Sequence, residues 1–90
     1  MNEKQWKNRA AELGCILCWH NDQPGTPANL HHVREGQGMS QRSSDLLVTP
    51  LCKEHHQGKT GIHGAIFYHT WRLDEMDLLA MTIREIIRPL

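Results

Sequence analysis

A chain of 90 residues, 39% of them hydrophobic, with no apolar run of about twenty residues, reads as one domain over residues 1–90 and excludes a helix of membrane-spanning length. Ten Lys and Arg offset ten Asp and Glu, so the overall charge selects neither nucleic acid nor anionic lipid, and any such partner must be argued from a local site. Seven His and three Cys are the unusual feature: an odd thiol count excludes complete disulfide pairing, and a domain near this size needs a staple, which a structural metal supplies.

Asn2 is placed to cap a helix through Leu13, with Trp6, Ala10 and Leu13 on one stripe and Gly14 as the stop. Glu3, Lys4, Lys7 and Arg9 leave no apolar leader here, so a cytoplasmic location with reduced thiols is expected. Cys15 to Asn29 reads as a loop, opening on the knuckle Cys15-Ile16-Leu17-Cys18 and dense in turn formers from Asn21 to Pro27. Ala28 to Val33 reads as a strand, Gly36 to Ser44 as a polar loop, and Asp45 to Thr49 as a second strand stopped by Pro50, together a hairpin with a long tip. Lys53 to Gln57 opens a short helix that Gly58 and Gly61 break before the run Ala65 to Trp71. The last element is an amphipathic helix in which Met76, Leu79, Ala80, Ile83, Ile86 and Ile87 recur at three- and four-residue intervals. Asp74, Glu75 and Asp77 at its start, and Arg84 and Arg88 at its end, complement its dipole.

Cys15-x-x-Cys18 and Cys52-x-x-His55 are two ligand pairs whose internal spacing lets each chelate one ion through a tight turn, a Cys₃His set suited to tetrahedral zinc. The ion would close a long loop and pin the entrance of the hairpin to the helix after it. His31 and His32 are adjacent at the end of a strand and point to opposite faces or diverge into a loop, so one can hold a metal while its neighbour faces a substrate. His55 and His56, about 100° apart on a helix, divide in the same way. On a continuous helix His56 and His63 would stand roughly 10 Å apart, but Gly58 and Gly61 let the chain bend and bring His63 back.

The knuckle, then Leu30-His31-His32-Val33, Asp45-Leu46 and Leu51-Cys52-Lys53-Glu54-His55-His56, in that order, resembles the zinc-stabilised HNH nucleases. Pro50 to Gly58, with Gly61-Ile62-His63 and Leu78-Leu79-Ala80, is most similar to the phage recombination-enhancement (Ref-type) nucleases within that superfamily. The resemblance implies an α+β fold, a small zinc-stabilised ββα-metal (HNH, or His-Me finger) domain. Its zinc knuckle and core would cover residues 15–63, with an N-terminal helix over 1–14 and a C-terminal helical part over 64–90. It also implies that His31, His56 and His63 hold a catalytic divalent ion and that His32 is the general base. Asp45 matches the middle motif position, usually Asn and sometimes His, whose family role is to hydrogen-bond backbone and hold the loop carrying the base; a carboxylate can do so only as an acceptor. The gap between His56 and His63 is longer than in the common HNH helix.

The implied function is a metal-dependent DNA endonuclease, with His32 taking a proton from the attacking water and the ion stabilising charge at phosphorus and on the leaving 3′-oxygen. Three imidazoles suit Zn²⁺, Ni²⁺ or Mn²⁺ better than Mg²⁺, although the family is often run by Mg²⁺ or Mn²⁺. The implied partners are DNA and a RecA filament, and the implied setting is the cytoplasm of a bacterial host, phage-encoded, as a monomer or homodimer. Arg34, Arg42, Lys53 and Lys59 are candidates for phosphate contacts flanking the cut. His20 and His69 read as structural or surface residues, and Trp6, Trp19 and Trp71 as packing. A second reading stands beside the nuclease: a non-catalytic zinc module, a degenerate nuclease or adaptor that binds DNA or a partner protein, favoured by the zero net charge, the small size and Asp45, which would bind one ion per chain rather than two.

Overall fold

The computed structural model describes residues 1–33, 44–58, 60–64 and 66–88. In chain order they form α1 (Glu3–Glu12), α2 (Ile16–His20), β1 (Asn29–His32), β2 (Val48–Leu51), α3 (Lys53–Gln57), α4 (Phe67–Trp71) and α5 (Glu75–Ile87). This is a small mixed α+β domain: a two-stranded antiparallel sheet with helices packed on it. No helix of the described residues is long and apolar enough to cross a membrane.

Helix α1 starts where Asn2 satisfies the free backbone donors: its Oδ1 accepts from Gln5 N at 2.8 Å, while Gln5 Oε1 accepts from Asn2 N at 2.9 Å. Gly14 then takes a φ of +73°, and a Cβ there would stand 2.7 Å from the Thr26 carbonyl oxygen. That close approach lets Cys15 N–H donate to the same carbonyl at 2.9 Å, which fixes where the knuckle begins. The stretch expected as loop after Cys15 in fact contains one helical turn, α2, with Cys15 as its N-cap. Ile16 and Leu17 are buried in the core, and burying their backbone without a helical turn would leave its polar groups unpaired.

Strands β1 and β2 pair with Asn29 opposite Leu51, Leu30 opposite Pro50, His31 opposite Thr49 and His32 opposite Val48. The second strand is shifted from the expected Asp45–Thr49: Asp45 and Leu46 form a turn, and pairing continues through Pro50 to Leu51. Proline is tolerated there for a geometric reason. Val33 N–H donates to the Leu47 carbonyl at 2.8 Å, so alternation along the ladder makes Leu30 and Pro50 a non-hydrogen-bonded pair, at which no donor from Pro50 is needed. Residues 36–43 of the expected polar loop lie outside the described residues, as does Ala65.

The core has two parts. Cys15, Ile16, Leu17, Cys18, Leu51, Phe67 and Leu78 form one cluster, and Ala10, Val48 and Ile86 another, onto which Trp6, Leu13 and Leu30 pack. Helix α5, capped by Asp74 and Asp77 in a reciprocal pair of 2.9 Å bonds, buries Leu78, Leu79, Thr82 and Ile86. Its buried face is therefore rotated from the expected stripe, and Met76, Ala80 and Ile87 are exposed. The rotation rests on Thr82, whose hydroxyl lies 2.9 Å from the Leu78 carbonyl and 2.8 Å from the Thr49 hydroxyl. A fully satisfied hydroxyl takes a core position at little cost, and hydrophobicity alone does not register it.

Candidate metal centres

Two clusters of ligating side chains stand out, and within each the donor atoms lie within 4.8 Å of one another. The first joins Cys15 and Cys18, at the head of α2, to Cys52 and His55, at the head of α3. His55 Nδ1 is 3.3 Å from Cys15 Sγ, 3.5 Å from Cys18 Sγ and 3.3 Å from Cys52 Sγ, and the Cys18 and Cys52 sulfurs are 3.9 Å apart. For Zn–S and Zn–N bonds of ordinary length, a tetrahedron has S···S edges of about 3.8 Å and S···N edges of about 3.5 Å. The donor set thus fits a structural ion such as Zn²⁺. It does not fit a disulfide, since 3.9 Å is nearly twice an S–S bond of about 2.05 Å.

Burial pushes the Cys15 thiol up to about 12, so in this apolar pocket the thiolate forms only against a cation. His55 is shifted the other way: burial lowers its pKa, against a smaller upward pull from Glu54, which keeps the ring in the neutral form a metal requires. The Trp71 ring meets the His55 ring edge-on at 5.3 Å, and its Nε1–H donates to the Thr60 carbonyl at 3.1 Å. Helix α4 thereby clamps the segment after α3 and holds the His55 ring.

The second cluster brings His31 of β1, His56 of α3 and His63 together. His63 returns because the chain reverses over Gly58 and Gly61. Ile62 N–H donates to the His55 carbonyl at 2.8 Å, and a Cβ on Gly61 would sit 2.9 Å from backbone atoms of Glu54 and His56. His31 Nδ1 lies 3.3 Å from His56 Nε2, and His63 Nε2 lies 3.2 Å from the same atom. Tetrahedral ligation by imidazole gives N···N edges of about 3.3 Å, which these two distances match, and the three rings are placed to hold a single ion. Burial, and then the neighbouring His31 and His63, lower the pKa of His56, which favours its neutral form.

His32, next to His31, is not part of that triangle but lines the same open cleft with Leu30, His31, His56, His63 and Glu75. Its Nε2 is 2.9 Å from Asp45 Oδ1, and Lys7 Nζ approaches Asp45 Oδ2 at 3.9 Å. Ser44 ties the Asp45 turn to α1 by donating to Glu3 Oε1 at 2.8 Å. The sequence reading assigned no role at the site to Glu75, whose Oε2 lies 2.6 Å from His31 Nε2; in sequence it reads only as a dipole-complementing acid at a helix start. The two residues are far apart in the chain, and no local spacing relates them. His20 and His69 are exposed and join neither cluster. Lys53 is exposed on α3, while Arg34, Arg42 and Lys59 lie outside the described residues.

Compared with known proteins, the chain matches no family model, no curated protein and no solved structure.

Proposed function

We propose that this chain is a metal-dependent DNA endonuclease of the HNH, ββα-metal type, related in its motifs to the phage recombination-enhancement nucleases. One observation carries the reading. Three imidazole nitrogens converge in an open cleft that also holds a fourth histidine, His32, whose Nε2 is engaged by a carboxylate. A purely structural zinc module needs the Cys₃His set and has no use for this second arrangement.

An ionised carboxylate only accepts hydrogen bonds, so Asp45 holds the proton of His32 on Nε2 and leaves the Nδ1 lone pair free. That nitrogen is the general base, taking a proton from water as the water attacks phosphorus. Asp45 also stabilises the imidazolium formed when the proton arrives, and Lys7 and Ser44 hold the Asp45 turn against α1. His31, His56 and His63 would hold a divalent ion, which when bound would supply positive charge where the phosphate and the leaving oxygen become more negative. The low pKa of His56 keeps its lone pair available for that role. The substrate is DNA, with a RecA filament as the partner that presents it, in the cytoplasm of a bacterial host.

The test uses purified, metal-supplemented protein with supercoiled plasmid and single-stranded circles, with and without a RecA filament, beside His32→Ala. Cleavage by the wild type that falls about 10²–10⁴-fold in the variant, at unchanged metal content, supports the reading. Lack of cleavage by the wild type with any of Mg²⁺, Mn²⁺, Ni²⁺ or Zn²⁺ overturns it and favours the zinc adaptor.

A further inference from the structure

We infer that Glu75 is a positioning residue for the second cluster: it fixes the tautomer of His31 so that Nδ1 faces His56 and His63. The inference rests on reading those three histidines as a metal site, and it adds a residue that no motif in the sequence assigns.

The geometry fixes one end of the ring. Glu75 Oε2 and His31 Nε2 are 2.6 Å apart, within the range of a short charge-assisted bond. A carboxylate without a proton can only accept, so a proton sits on His31 Nε2, and in the neutral ring that a metal binds the lone pair is then on Nδ1. That Nδ1 is the atom 3.3 Å from His56 Nε2. His31 is 6% exposed, so water cannot readily replace Glu75 as the acceptor, and without the carboxylate the ring is free to take the other tautomer and present a proton to the cluster. Glu75 is in turn held by its place in the first turn of α5, where the helix dipole favours its charge. The Asp74–Asp77 capping box fixes that turn, and the buried Thr49–Thr82 hydroxyl pair at 2.8 Å locks the helix to β2. Neighbouring histidines are thus treated alike from two sides: α5 sends Glu75 to His31, the turn before β2 sends Asp45 to His32, and each carboxylate takes Nε2 and frees Nδ1. Carboxylate partners of ligating histidines act in this way generally, orienting the ring and raising its basicity as a ligand.

Two measurements test the inference on the full chain carrying one equivalent of zinc, which the thiolate site prefers. In the first, the ¹⁵N imidazole spectrum of the wild type at neutral pH is expected to show His31 protonated at Nε2, whereas Glu75→Ala shows both tautomers. In the second, cobalt(II) is titrated into the remaining site and read by visible absorption. Affinity is expected to fall about 10–100-fold in Glu75→Ala and less in Glu75→Gln, whose amide oxygen still accepts from Nε2 but carries no charge. Cobalt substituted at the Cys₃His site should give an unchanged thiolate charge-transfer spectrum in all three proteins, which separates a local effect from misfolding. Wild-type cobalt affinity in Glu75→Ala, or an unchanged His31 tautomer, overturns the role of Glu75 alone. A wild-type chain that takes up no ion beyond the zinc overturns the reading of the three histidines, and this inference with it.

Discussion

Both clusters draw on the same short helix: α3 gives His55 to one and His56 to the other. Their surroundings are opposite. Cys15 and Cys18 belong to the larger core cluster, with Ile16, Leu17, Leu51, Phe67 and Leu78, and Cys52 packs against it. His31, His56 and His63 instead line an open cleft with a free approach from solvent. An enclosed Cys₃His set that joins α2, the end of β2 and α3 suits an ion at the centre of a core, whereas an imidazole set that runs from buried His31 to exposed His63, with Glu75 behind the His31 ring, suits an ion that keeps room for a further ligand. On the function proposed, the difference separates what holds the fold from what acts on a substrate.

The strongest way to break this contrast is to remove one ligand from each cluster. Structural zinc contributes about 10–16 kcal/mol to folding of small domains, as much as the roughly 5–15 kcal/mol of total stability such a domain has. Cys52→Ala should therefore abolish cooperative thermal unfolding followed by circular dichroism, and a strong chelator should do the same to the wild type. His63→Ala, exposed at the rim of the cleft, should leave the melting temperature within a few degrees. Equal behaviour of the two variants would remove the division of labour.

Within the cleft, Asp45→Asn tests the base. An amide can donate as well as accept, so it permits the His32 tautomer with the proton on Nδ1, where the base needs its lone pair. Cleavage should fall about 10²–10⁴-fold, toward the roughly 10⁴-fold loss when the aspartate of a catalytic triad becomes asparagine, with both ions retained and stability unchanged. Full activity in Asp45→Asn would show that the 2.9 Å contact with His32 does not orient the base.

The clusters should also differ in their response to pH. The Cys15 thiol is raised from 9.0 to about 12, so its contribution to the ion-free fold is fully present below pH 9.0 and is lost as pH rises toward 12. Zinc requires the thiolate and must displace that proton, so affinity at the Cys₃His site should rise at least about tenfold per pH unit through the neutral range. His55 and His56 are shifted down from 6.5. Their contribution is present above pH 6.5 and is lost as the pH falls below it. His56 therefore competes with protons only in acid, and cobalt affinity at the imidazole site should lose its dependence on His56 above about pH 6.5. Competition titrations at several pH values measure both slopes, and parallel slopes would contradict the assignment of thiolates to one site alone.

The elements of this site were legible in the sequence where the signal is local. Cys15-x-x-Cys18 and Cys52-x-x-His55 announce chelation by their spacing, the neighbours His31 and His32 announce two directions, and Gly58 and Gly61 announce the reversal that returns His63. What escaped depends on tertiary partners. Pro50 reads as a strand stop, yet it pairs, because the ladder asks for no donor at that position. Thr82 reads as polar, yet it is buried, because Thr49 and the Leu78 carbonyl satisfy its hydroxyl. Glu75 reads as an ordinary acid at a helix start, and only the packing of α5 against β2 brings it to His31.

The mildest expected effect sharpens the cleft side of the contrast. Lys7 is 3.9 Å from Asp45, with 40% and 31% of the two side chains exposed, so the pair is screened by solvent and worth no more than about 1 kcal/mol. Lys7→Ala should lower cleavage by less than about fivefold, because Asp45 keeps its hydrogen bond to His32, and should leave zinc content and melting unchanged. The effect should disappear in an Asp45→Asn background, since Lys7 acts on the base only through that carboxylate; a double-mutant cycle measures the coupling. A loss that persists in that background would place Lys7 against the substrate phosphate instead, and α1 would then belong to the DNA-binding surface.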